Sequence, residues 1–284
     1  MTDALEQPLE EFHRDLNRLE HLLGFVARLR KFGGIDLPTT PDGDEFTEQS
    51  AVLREQIRGL SSDFPIFSGT LLLYMAGRFE HFVRTSFENL CDLYAAKCRT
   101  FEQLPKAMKA TLTSSTAEVL LRPYKYSYDE VQTRGFVKQL SANMDAKDGL
   151  GVINSSLMSF TDSNMKPDTL RDLYKRAGIS DIWTDISKQA VLKVHFGYDK
   201  DQDAERDAKT ELLNLMRERN GIAHPTSSPS FPDPTRVQNY LAYLRILSQV
   251  LTDVCRVHLA AYRVVDKPVQ AEESTSGQKS AQST

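Results

Sequence analysis

The residues with the clearest capacity for chemistry lie together in Arg217-Glu218-Arg219-Asn220-Gly221-Ile222-Ala223-His224-Pro225. A guanidinium is a permanent planar cation with five donors and suits a phosphate, while an imidazole, with an unperturbed pKa of about 6.5, moves protons near neutrality. Arg219 follows Ala208, Leu212, Leu215 and Met216 at helical spacing, so it continues an apolar stripe. On an unbroken helix, five residues turn the chain by about 500°, which leaves the Arg219 and His224 side chains roughly 140° apart. Gly221 weakens a helix and Pro225 disfavours the α region for the residue before it, so the ladder is expected to open and let His224 swing toward Arg219. Arg219, Asn220 and His224 would then supply the parts for phosphodiester cleavage without a metal. The competing structural reading places both cations against exposed carbonyls at a helix C-terminus, worth about 0.3 to 1 kcal/mol.

Other chemistries lack their signatures. No G-x-x-x-x-G-K-S/T loop and no G-x-G-x-x-G motif is present, and the six histidines never fall at H-x-x-x-H or H-E-x-x-H spacing. No G-x-S-x-G elbow occurs. Three cysteines without C-x-x-C spacing argue against a disulfide framework or a zinc site and fit a reducing cytosol. No cofactor and no metal are expected. The 284 residues carry a net charge of -4, so contact with nucleic acid must be local rather than driven by a bulk positive field. Eight basic residues face four acidic ones between Lys97 and Lys138, interleaved with tyrosines, which makes Arg122, Lys125, Tyr124 and Tyr126 the candidate RNA contacts. An ordinary solvated face is the alternative.

The elements that position these residues read as all-α. Leu9, Phe12, Leu16, Leu19, Leu22, Leu23, Val26, Leu29 and Phe32 form one amphipathic helix that stops at Gly33-Gly34, followed by a loop to Thr47. A longer helix is expected from about Ser68 to Lys97, apolar all round in its first half and therefore central. Its Glu80, Arg84 and Glu88 stand at i, i+4 and i+8, most simply an exposed ion-pair ladder. Short helices are expected at 104–121, 130–144 and from Pro167 to just before Gly178. Asp203 to Arg219 forms another, and after a loop from Pro225 to Pro234, Asp233 caps a final helix opened by Pro234. The division expected is one domain over 1–263, with 97–145 an elaboration, and a disordered tail over 264–284. The longest charge-free apolar stretch, Phe64 to Gly77, is too short for a bilayer span of about 20 residues. With an acidic start, a cytoplasmic protein is expected.

The motif and its setting resemble the HEPN superfamily (higher eukaryotes and prokaryotes nucleotide-binding), whose R-x4-6-H signature commonly takes the form R-N-x-x-x-H, here Arg219-Asn220-x-x-x-His224. Three stretches resemble the RiboL-PSP-HEPN type more narrowly. They are Arg78-Phe79-Glu80-His81-Phe82, the run from Asn164 through Lys166-Pro167 to Gly178-Ile179, and Arg219 to Pro225. The resemblance covers most of residues 1 to 263 and implies a bundle of four or more helices that dimerises, with two motifs in one cleft. In many members it implies metal-independent endoribonuclease activity, often in toxin–antitoxin or phage-defence settings, with Glu80 as a supporting site residue. Other members bind RNA, a nucleotide or a protein partner without catalysis. A toxin branch carries tyrosine two positions after the histidine; here that residue is Thr226. A homodimer would also relieve Arg219 of burial against its own core, with Ala208, Leu212, Leu215 and Met216 packing between subunits. A purely structural helical adaptor is the remaining reading.

Overall fold

A computed structural model describes residues 4–36, 44–60, 62–224 and 231–264. The sequence readings that fall on 37–43, 225–230 and 265–284, including most of the expected tail, lie outside the described residues. Among those described, every regular element is helical. The chain runs α1 (Glu6–Gly33), α2 (Glu45–Gly59), α3 (Phe64–Ala96), α4 (Lys106–Leu121), α5 (Glu130–Asp145), α6 (Ser155–Met158), α7 (Pro167–Arg176), α8 (Ile182–Ser187), α9 (Ala190–Phe196), α10 (Asp201–Ala223) and α11 (Pro234–Ala261).

Helix α3 is the axis, packed against α1, α10, α11 and α6. Its Leu72, Met75, Ala76, Phe79, Phe82, Val83, Phe87 and Leu90 are all buried, as the near-continuous hydrophobicity of its first half predicts. Phe12 of α1 stacks on Phe82 with ring centroids 5.2 Å apart and meets Phe79 at 5.9 Å. Gly69 of α3 lies so close to Phe231 and the Ile222 side chain that a Cβ there would meet the Phe231 ring at 2.4 Å. This close approach seats the end of α10 against α3.

Local signals place the other boundaries. Pro167 opens α7 in its first turn, and Gly178, at φ +91, reverses the chain after it in a conformation glycine adopts without steric cost. The Asp233 carboxylate accepts the Thr235 N–H at 2.8 Å and starts α11. Trp183, fully buried in α8, donates its indole N–H to Pro167 O at 2.9 Å and ties α8 to the start of α7. Helix α2 carries no sequence signal strong enough to anticipate, because only Ile57 of its fifteen residues is buried. No helix among the described residues is long and apolar enough to cross a membrane.

One charge is sunk into the α1–α3 contact. Asp15, only 4% exposed, accepts from Arg78 Nε at 2.5 Å, Arg18 Nη1 at 3.1 Å and the Tyr74 hydroxyl at 3.3 Å. Removing the carboxylate strands the half-buried Arg78 guanidinium, so Asp15→Ala should lower stability by about 2–3 kcal/mol in urea denaturation. A loss below about 0.5 kcal/mol would class the pair with ordinary surface ion pairs.

Candidate functional site

Helix α10 carries the motif because Ala204, Ala208, Leu212, Leu215 and Met216 all face the core at full burial. These residues are wholly occupied within their own chain, so the expectation that they pack between subunits is corrected. The expected opening at Gly221 is corrected too. The helix continues through Gly221 to Ala223, and the His224 N–H still donates to Asn220 O at 2.9 Å. A glycine costs a helix only about 1 kcal/mol relative to alanine, which the packing around Ile222 outweighs. The influence of Pro225 is confined to His224, whose φ of -132 and ψ of 65 leave the helical region. That φ turns its Cβ roughly 70° from the place a continued helix would give it.

Arg219 is partly exposed rather than sunk into the core, so the desolvation argument for a second protomer does not hold. Its Nη1 donates to Asn220 Oδ1 at 3.2 Å. The same oxygen accepts from Nδ2 of Asn164, which lies on the segment before α7. His224 is exposed, and its ring has no hydrogen-bond partner among the described residues.

Asn164 reaches the motif because a line of polar residues on α3 holds the chain ahead of it. The Glu80 carboxylate accepts the Met165 N–H at 3.1 Å, Arg84 Nη2 donates to Thr161 Oγ1 at 2.9 Å, and Glu88 accepts from the Ser159 hydroxyl. Asp92 shares a hydrogen bond with Ser155. The expected exposed ion-pair ladder is therefore a row of clasps on a strap over residues 155–165. A helix with polar groups every four residues can satisfy them with a neighbouring loop as readily as with one another. Glu80 thus stands two hydrogen bonds from the motif, through the Met165 backbone and Asn164.

Two of the RNA-contact candidates meet this strap near its middle, at Phe160 and Asp162. Lys125 pairs with Glu118 at 3.2 Å and with Asp162 of the strap at 3.1 Å. The Tyr126 ring packs on Phe160 at 4.8 Å. Arg176 of α7 donates to Met158 O at 2.7 Å and Phe160 O at 2.6 Å. Arg122 and Tyr124 remain exposed, Tyr124 at 91%. The structure therefore joins Arg219, Asn220, Asn164 and Glu80 in one network, leaves His224 beside it, and connects Lys125 and Tyr126 to it only through the strap. Sequence reading missed Asn164 as a site residue, since a loop position has no periodicity to mark the face it serves. Among the described residues no three His, Cys, Asp or Glu side chains converge as a metal site.

An all-α bundle whose central helix supports an Arg-Asn-x-x-x-His helix end is the architecture of the HEPN class. The RiboL-PSP-HEPN profile matches residues 49–256, and the chain belongs to this family. No curated protein and no solved structure matches it.

Helix α10 is braced on its other side by Arg236 of α11, which meets Glu211 at 3.1 Å and Glu218 at 3.4 Å, while the Tyr240 hydroxyl donates to Glu218 at 2.8 Å. Burial pushes the Glu211 carboxyl up, more than the Arg236 cation pulls it down. A carboxyl whose folded pKa exceeds its unfolded value of about 4.3 adds stability as pH falls from the folded toward the unfolded value. Glu211→Gln should therefore leave stability at pH 7 unchanged or raised, and should erase that acid-side gain in a series of denaturation curves. A loss above about 1 kcal/mol at pH 7 would show that the Arg236 attraction outweighs burial.

Proposed function

We propose that this protein is a metal-independent endoribonuclease in which a ribose 2′-hydroxyl attacks its own 3′-phosphate. His224 accepts the hydroxyl proton and returns one to the leaving 5′-oxygen, and Arg219 stabilises the charge that develops on the phosphorane. The observation that carries this reading is the Asn220 amide. Arginine has no acceptor, so the atom that Arg219 faces must be the oxygen, and Nδ2 is left pointing away from both of its neighbours. No partner occupies that Nδ2 among the described residues. A fixed guanidinium and a free amide donor at one helix end make a pair of hydrogen-bond donors suited to phosphate oxygens. The products are a 2′,3′-cyclic phosphate and a 5′-hydroxyl, and DNA lacks the nucleophile.

By family resemblance the setting is a bacterial toxin or phage-defence system in the cytoplasm, restrained by an antitoxin or a defence partner. Arg122 and Tyr124 are the better placed of the four candidate RNA contacts, since Lys125 and Tyr126 are already engaged. The protein acts as a homodimer. Support for the dimer comes from the family and from the unheld His224 ring, which a second chain would orient; exposed Ile66 lies one turn from Gly69, beside Phe231 and the end of α10. The same unheld ring favours the second reading, a non-catalytic HEPN module that binds RNA, a nucleotide or a protein, because nothing described in one chain fixes its tautomer.

Purified protein should cut structured RNA with chelator present and leave DNA intact, releasing cyclic-phosphate ends. His224→Ala should abolish cutting while circular dichroism stays unchanged, because the residue is exposed at a helix end. Cleavage that requires an added metal, or a His224→Ala variant as fast as the parent, would reject the mechanism. Sedimentation should report about 64 kDa, twice the 32.1 kDa chain. A strict monomer with full activity would reject the two-chain site, and an inactive monomer that binds RNA would favour the module.

A further inference from the structure

The two donors that converge on Asn220 Oδ1 come from different parts of the chain. Arg219 is its helical neighbour, but Asn164 is 56 positions away and arrives on the strap. At that point the strap makes a tight turn, Lys166 N–H to Asn164 O at 2.7 Å, with Met165 fully buried and its N–H held by Glu80. The backbone beside Asn164 is thus anchored independently of its side chain. Every neighbouring link is also fixed: Thr161 by Arg84, Asp162 by Lys125, Phe160 by Arg176 and Tyr126, and Ser163 by Thr169 at 2.9 Å. So many constraints on a segment of eleven residues, α6 and the loop after it, bring the Asn164 side chain to one place, and what stands there is the motif amide.

We propose that Asn164 is a positioning residue for the ribonuclease site, and that the strap, clasped by α3 and by Lys125, serves to hold the Asn220 amide in one orientation. The inference rests on the functional reading above. By donating to Oδ1, Asn164 makes the flipped amide unfavourable, because a flip would set Nδ2 against two donors. With the amide fixed, Arg219 keeps its acceptor and Nδ2 keeps its direction toward a phosphate. Lys125 and Tyr126 then contribute by holding the strap rather than by touching RNA. Asn164 touches no reacting atom and acts through Asn220.

The test compares the parent with Asn164→Ala, Asn164→Asp and Asn164→Gln in the full-length protein, using a fluorescent RNA and, separately, arginine side-chain NMR with the Arg219 signal assigned by its loss in Arg219→Lys. Asn164→Ala removes the donor, and kcat should fall between about 10-fold and 100-fold with KM within about 2-fold, since only the geometry of the reacting complex changes. Asn164→Asp should be worse than Ala, because a carboxylate there invites the amide to flip and present Nδ2 to Arg219. Asn164→Gln, with a donor on a longer stem, should recover part of the loss. A merely structural role would give no such order, and would lower the thermal midpoint of all three variants together. In the NMR arm the Arg219 Nη protons, which include the donor to Asn220 Oδ1, should exchange with solvent faster in Asn164→Ala than in the parent. Full kcat in Asn164→Ala alongside an inactive His224→Ala overturns the positioning role and leaves the ribonuclease reading intact. If the parent cuts no RNA, the ribonuclease reading fails on its own and the NMR arm decides: an unchanged Arg219 exchange rate overturns the inference, and a faster one upholds the clamp on Asn220. Should Asn164→Ala unfold, the Asp and Gln variants carry the same comparison.

Discussion

A helix that is packed on nearly every side can carry charged residues only where something satisfies them. In α3 that condition falls on Arg78, met by Asp15 of α1, and on Glu80, Arg84 and Glu88, whose partner is a strap rather than water or a neighbouring helix. An unpaired polar group in such a place costs about 1–3 kcal/mol, and more if it is charged, so the stripe and the strap specify each other. The apolar face of α3 sets where α1, α10 and α11 lie, and its polar face sets where residues 155–165 lie. The site forms where these two specifications meet, with Arg219 and Asn220 on a helix packed by the first and Asn164 on a loop held by the second.

The electrostatic logic of the site follows from the inventory of donors. Guanidinium groups only donate, so a side chain that orients Arg219 must offer an acceptor, and the adjacent amide does so at 3.2 Å. An aspartate in place of Asn220 would bind Arg219 more strongly but would bring a negative charge where the proposed reaction needs to receive a phosphate. The amide gives the arginine an acceptor, gives the substrate a donor and adds no charge. Glu80 is negative and only two links away, yet its carboxylate is occupied by the Met165 N–H, and its reach into the site passes through neutral groups.

How far the sequence could be read depended on whether a residue's surroundings were local. The boundaries of α1, α7, α10 and α11 came within a few residues because apolar periodicity, Pro167, Gly178 and the Asp233 cap act over one or two turns. Arg219, Asn220 and His224 could be singled out as candidates for the same reason, since they lie within six consecutive positions at a helix end. The break at Gly221 was misjudged because a local propensity of about 1 kcal/mol was set against tertiary packing that the sequence does not display. Glu80, Arg84 and Glu88 were correctly seen to share a face, but the spacing cannot say whether water, each other or a distant loop completes them. Asn164 is the extreme case. Its partner is 56 residues away, its own segment has no period, and only the folded chain shows the two side chains meeting.

The site is thus half preorganised within one chain. Arg219 and Asn220, the groups assigned to the phosphate, are oriented by several fixed contacts, whereas His224, assigned to the proton, is exposed at a helix end with its backbone already outside the helical region. Proton transfer is effective only when the imidazole lies within hydrogen-bond reach of the reacting oxygen in the right tautomer. Whatever orders that ring would therefore control the proposed reaction without disturbing the phosphate side. A second protomer brought against the end of α10 is one means, since a two-fold axis there would place each His224 beside the other chain's donors. A binding partner that covers this helix end would have the opposite effect and leave the fold unchanged. A ribonuclease of the kind proposed, built this way, would need no rearrangement of its core to be switched, because the group assigned to the proton is the one that no described contact of the chain holds.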